Sequence, residues 1–208
     1  MSRIIKIKIN MKKLIILNII LLLSNSLAQA QRTKTVSMSE MANYPVGSIM
    51  GYPQIPDDVD YLIDDTGLLD KYVGTWKGIA NGRNLEFTFT KKLKVDNYTG
   101  AAKRDLLMGR LIVKDPNGTV IFDTNNQDEV PLKGWTFTAG LKRYVVNYTG
   151  LKLGCNEAGW LFLKLEDGKI KVEFLPMDGI MIEGDGPNRC PKDYVPLINR
   201  TGLELTKQ

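Results

Sequence analysis

From Tyr72 to the C-terminus apolar and polar residues alternate with a period of two, and no stretch sustains the 3.6-residue period of a helix longer than about two turns. Leu85, Phe87, Phe89, Leu93 and Val95 share one parity, while Asn84, Glu86, Thr88, Thr90, Lys92 and Lys94 take the other, with Lys91 the one exception. Ile170, Val172 and Phe174 alternate with Lys169, Lys171 and Glu173, and Leu203 and Leu205 with Glu204 and Thr206. One face of each segment is therefore built to be buried. Turn residues stand between these segments: Asn81-Gly82, Pro116-Asn117-Gly118 and Asp167-Gly168. Asn-Gly and Asp-Gly favour two-residue hairpins, which join antiparallel neighbours. The pattern predicts an all-β domain over residues 66–208, an antiparallel meander of about eight strands. It closes as a barrel or, alternatively, folds as a β-sandwich.

The N-terminal third reads differently. Lys12 and Lys13, an apolar run from Leu14 to Leu23 and Ala28-Gln29-Ala30 form the three parts of a secretory signal, with Met11 a sufficient start and cleavage expected after Ala30. Ten apolar residues are too few to span a bilayer, which needs roughly 20, so a soluble, exported product without stable membrane insertion is expected, periplasmic or extracellular. Residues 31–65 hold Pro45, Pro53 and Pro56 and no sustained period, as an irregular extended arm does, with short helical turns toward its end. Asp64 or Asp65 would cap such a turn over Thr66–Tyr72. The acidic run Asp57, Asp58, Asp60, Asp64, Asp65 and Asp70 has the residue type of a calcium site but neither the spacing nor the central glycine of an EF-hand loop. Export also bears on Cys155 and Cys190: an oxidising compartment makes a bridge between them the expected state, and neither has the CxxC neighbour of a reactive thiol.

Composition narrows the function. The net charge is +5, yet five of the 28 basic residues and no acid fall within the first 30 positions, so the rest of the chain is balanced at 23 against 23. That removes the electrostatic case for nucleic acid. The chain contains no histidine, which closes the commonest routes to catalytic triads, proton shuttles and zinc sites. Glu86 and Glu173 are candidate catalytic carboxylates by type alone, and both stand on the polar parity of their strands. The glycines at 179, 184 and 186 lack the Lys-Ser/Thr and following helix of a phosphate loop. No cofactor or metal is expected. Phe87, Phe89, Phe122, Phe137 and Phe174 fall on inner faces, where they either fill the core or line an apolar cavity. Two functions remain: a non-catalytic module that binds a small apolar ligand, or a scaffold that meets a protein partner at the cell surface or in the periplasm.

Two resemblances add to this. Tyr72-Val73-Gly74-Thr75-Trp76-Lys77-Gly78 resembles the first strand of calycin-type barrels, the lipocalins, fatty-acid-binding proteins and avidins, which open with Gly-x-Trp. The resemblance implies a barrel-closing role for Gly74 and Trp76, with Arg200 as the basic residue packed on the indole. The helix-turn-helix lid of fatty-acid-binding proteins and the C-terminal lipocalin helix are both missing from the sequence. The chain as a whole is similar to a family of exported bacterial proteins of unknown function. The shared features are the AQAQ-ending signal, Gly74-Thr75-Trp76 with Phe87-Thr88-Phe89, Gly154-Cys155, Cys190-Pro191 and Leu205-Thr206-Lys207-Gln208. That similarity implies secretion, a β-rich calycin-like fold and the disulfide, and no chemistry.

Overall fold

In the computed structural model, which describes residues 34–47, 50–96, 101–152, 155–177, 184, 189–198 and 202–208, the alternation is realised as strands. They are β1 (Lys34–Ser37), β2 (Val59–Ile63), β3 (Gly74–Ala80), β4 (Arg83–Val95), β5 (Lys103–Lys114) and β6 (Val120–Asp123). There follow β7 (Leu132–Phe137), β8 (Tyr144–Thr149), β9 (Ala158–Glu166), β10 (Lys169–Pro176) and β11 (Leu203–Lys207). Eight of them pair in the order β5-β4-β3-β11-β10-β9-β8-β7, every pair antiparallel, and β7 returns to β5 through Met108↔Lys133 and Gly109↔Leu132. That last pairing closes a barrel and excludes the sandwich. The hairpin turns follow their residues: Asn81 and Gly82 have φ of 51° and 72°, and Asp167 and Gly168 of 50° and 74°. Positive φ at both central positions is the turn whose twist matches the strands it joins.

The inner face carries one buried cluster that includes Trp76, Phe87, Phe89, Leu107, Leu111, Tyr144, Tyr148, Leu161, Leu163 and Leu205. At Gly134 a β-carbon would come within 2.3 Å of the Tyr144 hydroxyl, so only glycine lets that ring seat. Alternation on β4 fails after Phe89. A bulge between Lys92 and Val95, with Lys94 at φ 52°, turns Leu93 outward to 68% exposure, against its expected inner position. Lys91, the exception in the pattern, keeps the inward parity and reaches Asp64 at 2.7 Å and Asp70 at 3.1 Å. Burial alone would lower its pKa, but hydrogen bonds and charge from those two carboxylates raise it.

The segment expected as an irregular arm carries more order than its pattern shows. β1 runs parallel to β2, β2 runs parallel to β5, and a 3-10 helix occupies Met38–Asn43 near the start of the arm. Val36, Met38, Met41, Val59 and Leu62 join the same buried cluster as the barrel's inner face. Strands of four and five residues are too short to reveal a period, and their partners are distant in sequence. The expected turn after Asp64 forms over Leu68–Tyr72: the Asp64 carboxylate accepts from the amides of Leu68 at 2.7 Å and Leu69 at 3.0 Å.

Candidate functional site

Strand β5 has β4 along one edge and three successive partners along the other. β2 meets it at Lys103 and Arg104, β7 at Met108 and Gly109, and β6 at Ile112 to Lys114. Between partners the edge is left to side chains. At the second seam, between β7 and β6, the buried Thr124 hydroxyl accepts from the Leu111 amide at 2.8 Å and donates to the Leu111 carbonyl at 3.2 Å. At the first seam, between β2 and β7, the Tyr144 hydroxyl accepts from the Leu107 amide at 3.3 Å. Asp105, 1% exposed, accepts from the Tyr61 hydroxyl and from the amides of Asp64 and Lys94. Burial, then the hydrogen bond and charge of Asp105, push the Tyr61 phenol up to about 12.

The first seam also opens outward into a pocket of about 460 Å³. Its walls are the loop carrying Tyr52, Pro53, Ile55 and Asp57, the start of β5, and Trp135 with Thr136 on β7. Trp135 is the extra residue of a bulge, opposed by no residue of β8, so its ring is re-aimed relative to the strand. Arg104 lines the pocket with its guanidinium carbon 5.6 Å from the Trp135 ring centre, within cation–π range. Its Nη1 donates to the Trp135 carbonyl at 3.1 Å. Its Nε is buried and has no acceptor among the described residues, and no described carboxylate forms an ion pair with it. Burial draws the guanidinium below its ordinary pKa, with the Tyr144 phenol acting in the other direction. Buried polar groups are ordinarily paired, and this donor is an exception, as is the Tyr148 hydroxyl in the core.

The residues singled out in the sequence lie elsewhere. Phe87, Phe89, Phe122, Phe137 and Phe174 are all buried within the core cluster, packed with Tyr144, Tyr148 and one another. Of the five, Phe122 also touches a surface pocket, a smaller one of about 210 Å³ beside Pro131 and Leu151. Trp76 is 1% exposed and donates its Nε1–H to the Tyr72 carbonyl at 2.7 Å. The cation over its ring is Lys207 on β11, at 5.3 Å, and Gly74, at φ 124°, leaves room for that side chain. Arg200, expected in this place, lies outside the described residues, as do residues 1–33 with the signal segment. Glu86 pairs with Lys77 and Glu173 with Arg143, both on the outer face, and the two are not brought together. Four of the six acids of the run serve local structure: Asp58 meets Lys34, Asp65 meets Ser37, and Asp64 and Asp70 share Lys91.

Cys155 and Cys190 form the disulfide, with Cα atoms 4.9 Å apart. Closing a loop between positions 35 residues apart contributes about 4 kcal/mol in the chain-entropy picture. Beside it Glu157, fully buried, accepts from the Lys152 amide at 3.0 Å, the Tyr194 hydroxyl at 2.6 Å and the Leu197 amide, fastening the segment after Cys190 to the barrel. Asp105 and Glu157 escaped the sequence reading although each has the inward parity of its strand, one step beyond the apolar residues. Arg104 has outward parity and carried no signal.

Fold and site together define a closed eight-stranded antiparallel barrel with three accessory strands and a seam pocket on its outside. The chain belongs to a family of unknown function, DUF6705, whose model matches residues 11–159 and so takes in every residue lining that pocket. No curated protein and no solved structure matches it. Among the described residues no helix is long and apolar enough to cross a membrane.

Proposed function

We propose that the protein is an exported, non-catalytic binding barrel that takes a small ligand at the seam between β2, β5 and β7, outside a barrel packed with its own side chains. The observation that carries this reading is Arg104: a cation with no described carboxylate partner on the wall of a pocket of about 460 Å³, a size that suits a small molecule. The signal-like N-terminus and the disulfide support export. The lack of histidine and the separation of Glu86 from Glu173 favour binding over catalysis. A second reading, a protein-docking scaffold, draws on a depression of about 700 Å³ on the outer face of β3, β4, β5 and β11, where Ile79, 70% exposed, stands beside Ile112.

The test is mass spectrometry of protein expressed from the precursor in an exporting host and purified without detergent. The denatured mass is expected to report cleavage after Ala30 and two hydrogens lost to the disulfide. The native mass is expected to exceed it by a small molecule that Trp135→Leu protein no longer retains. Bare protein from several growth conditions, or cargo that Trp135→Leu still holds, overturns the seam as the binding site.

A further inference from the structure

The chemistry of the seam pocket specifies its ligand more narrowly than its size does. Of the three guanidinium nitrogens of Arg104, Nη1 is engaged by the Trp135 carbonyl. Nε is closed off from solvent, so the nitrogen left to meet a ligand is Nη2, whose N–H can donate to a carboxylate oxygen. A carboxylate there would supply the countercharge that the described residues do not provide. Flat and apolar groups stand beside it, Trp135, Tyr52, Pro53 and Ile55, with Thr136 adding a polar one. The one acid on that wall, Asp57, is exposed at its rim and disfavours a second negative charge on the ligand.

We propose that the pocket binds a small organic monocarboxylate with a flat apolar body, the carboxylate on Nη2 of Arg104 and the body against Trp135. This rests on the seam being the binding site and adds the class of ligand. The same bulge that re-aims the indole also presents the Trp135 carbonyl to Nη1, so one irregularity of β7 orients both halves of the site.

Three probes of one shape separate the contributions: phenylacetate, phenylacetamide and benzylphosphonate, titrated by calorimetry into the disulfide-bonded mature protein. Phenylacetate is expected to bind, with the neutral amide and the more highly charged phosphonate each weaker by about ten-fold or more. Arg104→Gln is expected to bring phenylacetate down to the level of the amide while leaving the amide itself unchanged. Trp135→Leu should weaken acid and amide alike, and unaltered thermal unfolding of each variant shows that the fold is intact. Equal affinity for acid and amide overturns the carboxylate assignment and leaves the seam as the binding site. Phosphonate binding more tightly than phenylacetate overturns the preference for a single charge. If all three bind and Trp135→Leu affects none of them, the seam itself is the wrong place. If none binds at millimolar concentration the assignment falls, and the retained-cargo experiment above then decides the seam independently.

Discussion

Arg104 and Arg110 stand on the same outward face of β5, each where one strand partner gives way to the next. Arg110 spends its Nη1 on three carbonyls of the following loop, those of Thr124 at 2.6 Å, Gln127 at 2.8 Å and Glu129 at 3.0 Å. Arg104 has one, and its Nε has none. The loop at the second seam is thereby tied to β5 beside a pocket of about 210 Å³, while the first seam keeps one of about 460 Å³. Topology does not impose the difference, because the same strand, the same residue type and the same kind of gap occur at both. A group whose hydrogen bonds are all made inside the protein is explained by the fold. One that is left without a countercharge on the wall of a pocket is what the proposed ligand would meet.

Glu157 extends the internally bonded side of this comparison to a buried anion. Replacing it with leucine strands three donors that now share one carboxylate, and it should cost about 3–5 kcal/mol, read from denaturant midpoints with the disulfide intact. A cost below about 1 kcal/mol would mean that the Cys190 segment is held by the disulfide alone. Arg110→Met comes next, at about 2 kcal/mol, because the three loop carbonyls lose a charged donor but water can reach part of that loop. Loop amides that exchange hydrogen no faster in the variant would show that the loop closes without the arginine.

The first seam should also respond to alkali. Tyr61 is held near 12 by burial and by the Asp105 carboxylate that accepts its proton's hydrogen bond, above its ordinary value of 10.0. A phenol with a raised folded-state value contributes stability that is intact below pH 10 and lost as the pH climbs through about 12. Tyr72, raised to about 12 chiefly by burial, adds to the same loss from inside the barrel. Denaturant midpoints should therefore fall between pH 10 and 12, and in Tyr61→Phe they should start lower but fall less steeply. Parallel pH curves for the two proteins would exclude Tyr61 as the sensitive group.

What could be read from the sequence divides along the same line. Hairpins declare themselves locally: Asn81-Gly82, Pro116-Asn117-Gly118 and Asp167-Gly168 lie between strands whose parity is visible within ten residues, and β3 to β6, β9 and β10 follow from such signals. Asp105 and Glu157 were legible in principle, since each continues the inward parity of Leu107 and Leu161, and a carboxylate on an inner face must be supplied with donors. Arg104 was not. Its parity marks it as solvent-facing, and what covers it is a loop some 50 residues earlier and an indole some 30 residues later, brought together by pairings that no local period encodes. The short parallel strands of the N-terminal segment were hidden for the same reason, as their order comes from β5 and not from themselves.

The smallest effect is the most discriminating. Arg104→Met removes a partly buried charge that no described carboxylate balances, and with it one hydrogen bond and a cation–π contact. Relief from desolvation offsets those losses, so stability should change by no more than about 1 kcal/mol, with gain as permissible as loss. Arg110→Met, the same substitution on the same face of the same strand, serves as its control. If Arg104→Met proves the costlier of the two, Arg104 is a structural residue and the contrast between the seams collapses. If it is neutral, phenylacetate supplies the remaining half of the argument. A ligand that binds the folded state raises its stability in proportion to occupancy, so the acid should raise the unfolding midpoint of the wild type and of Arg110→Met while leaving that of Arg104→Met where it was. Only a guanidinium kept incomplete for a ligand combines indifference in the free protein with necessity in the bound one.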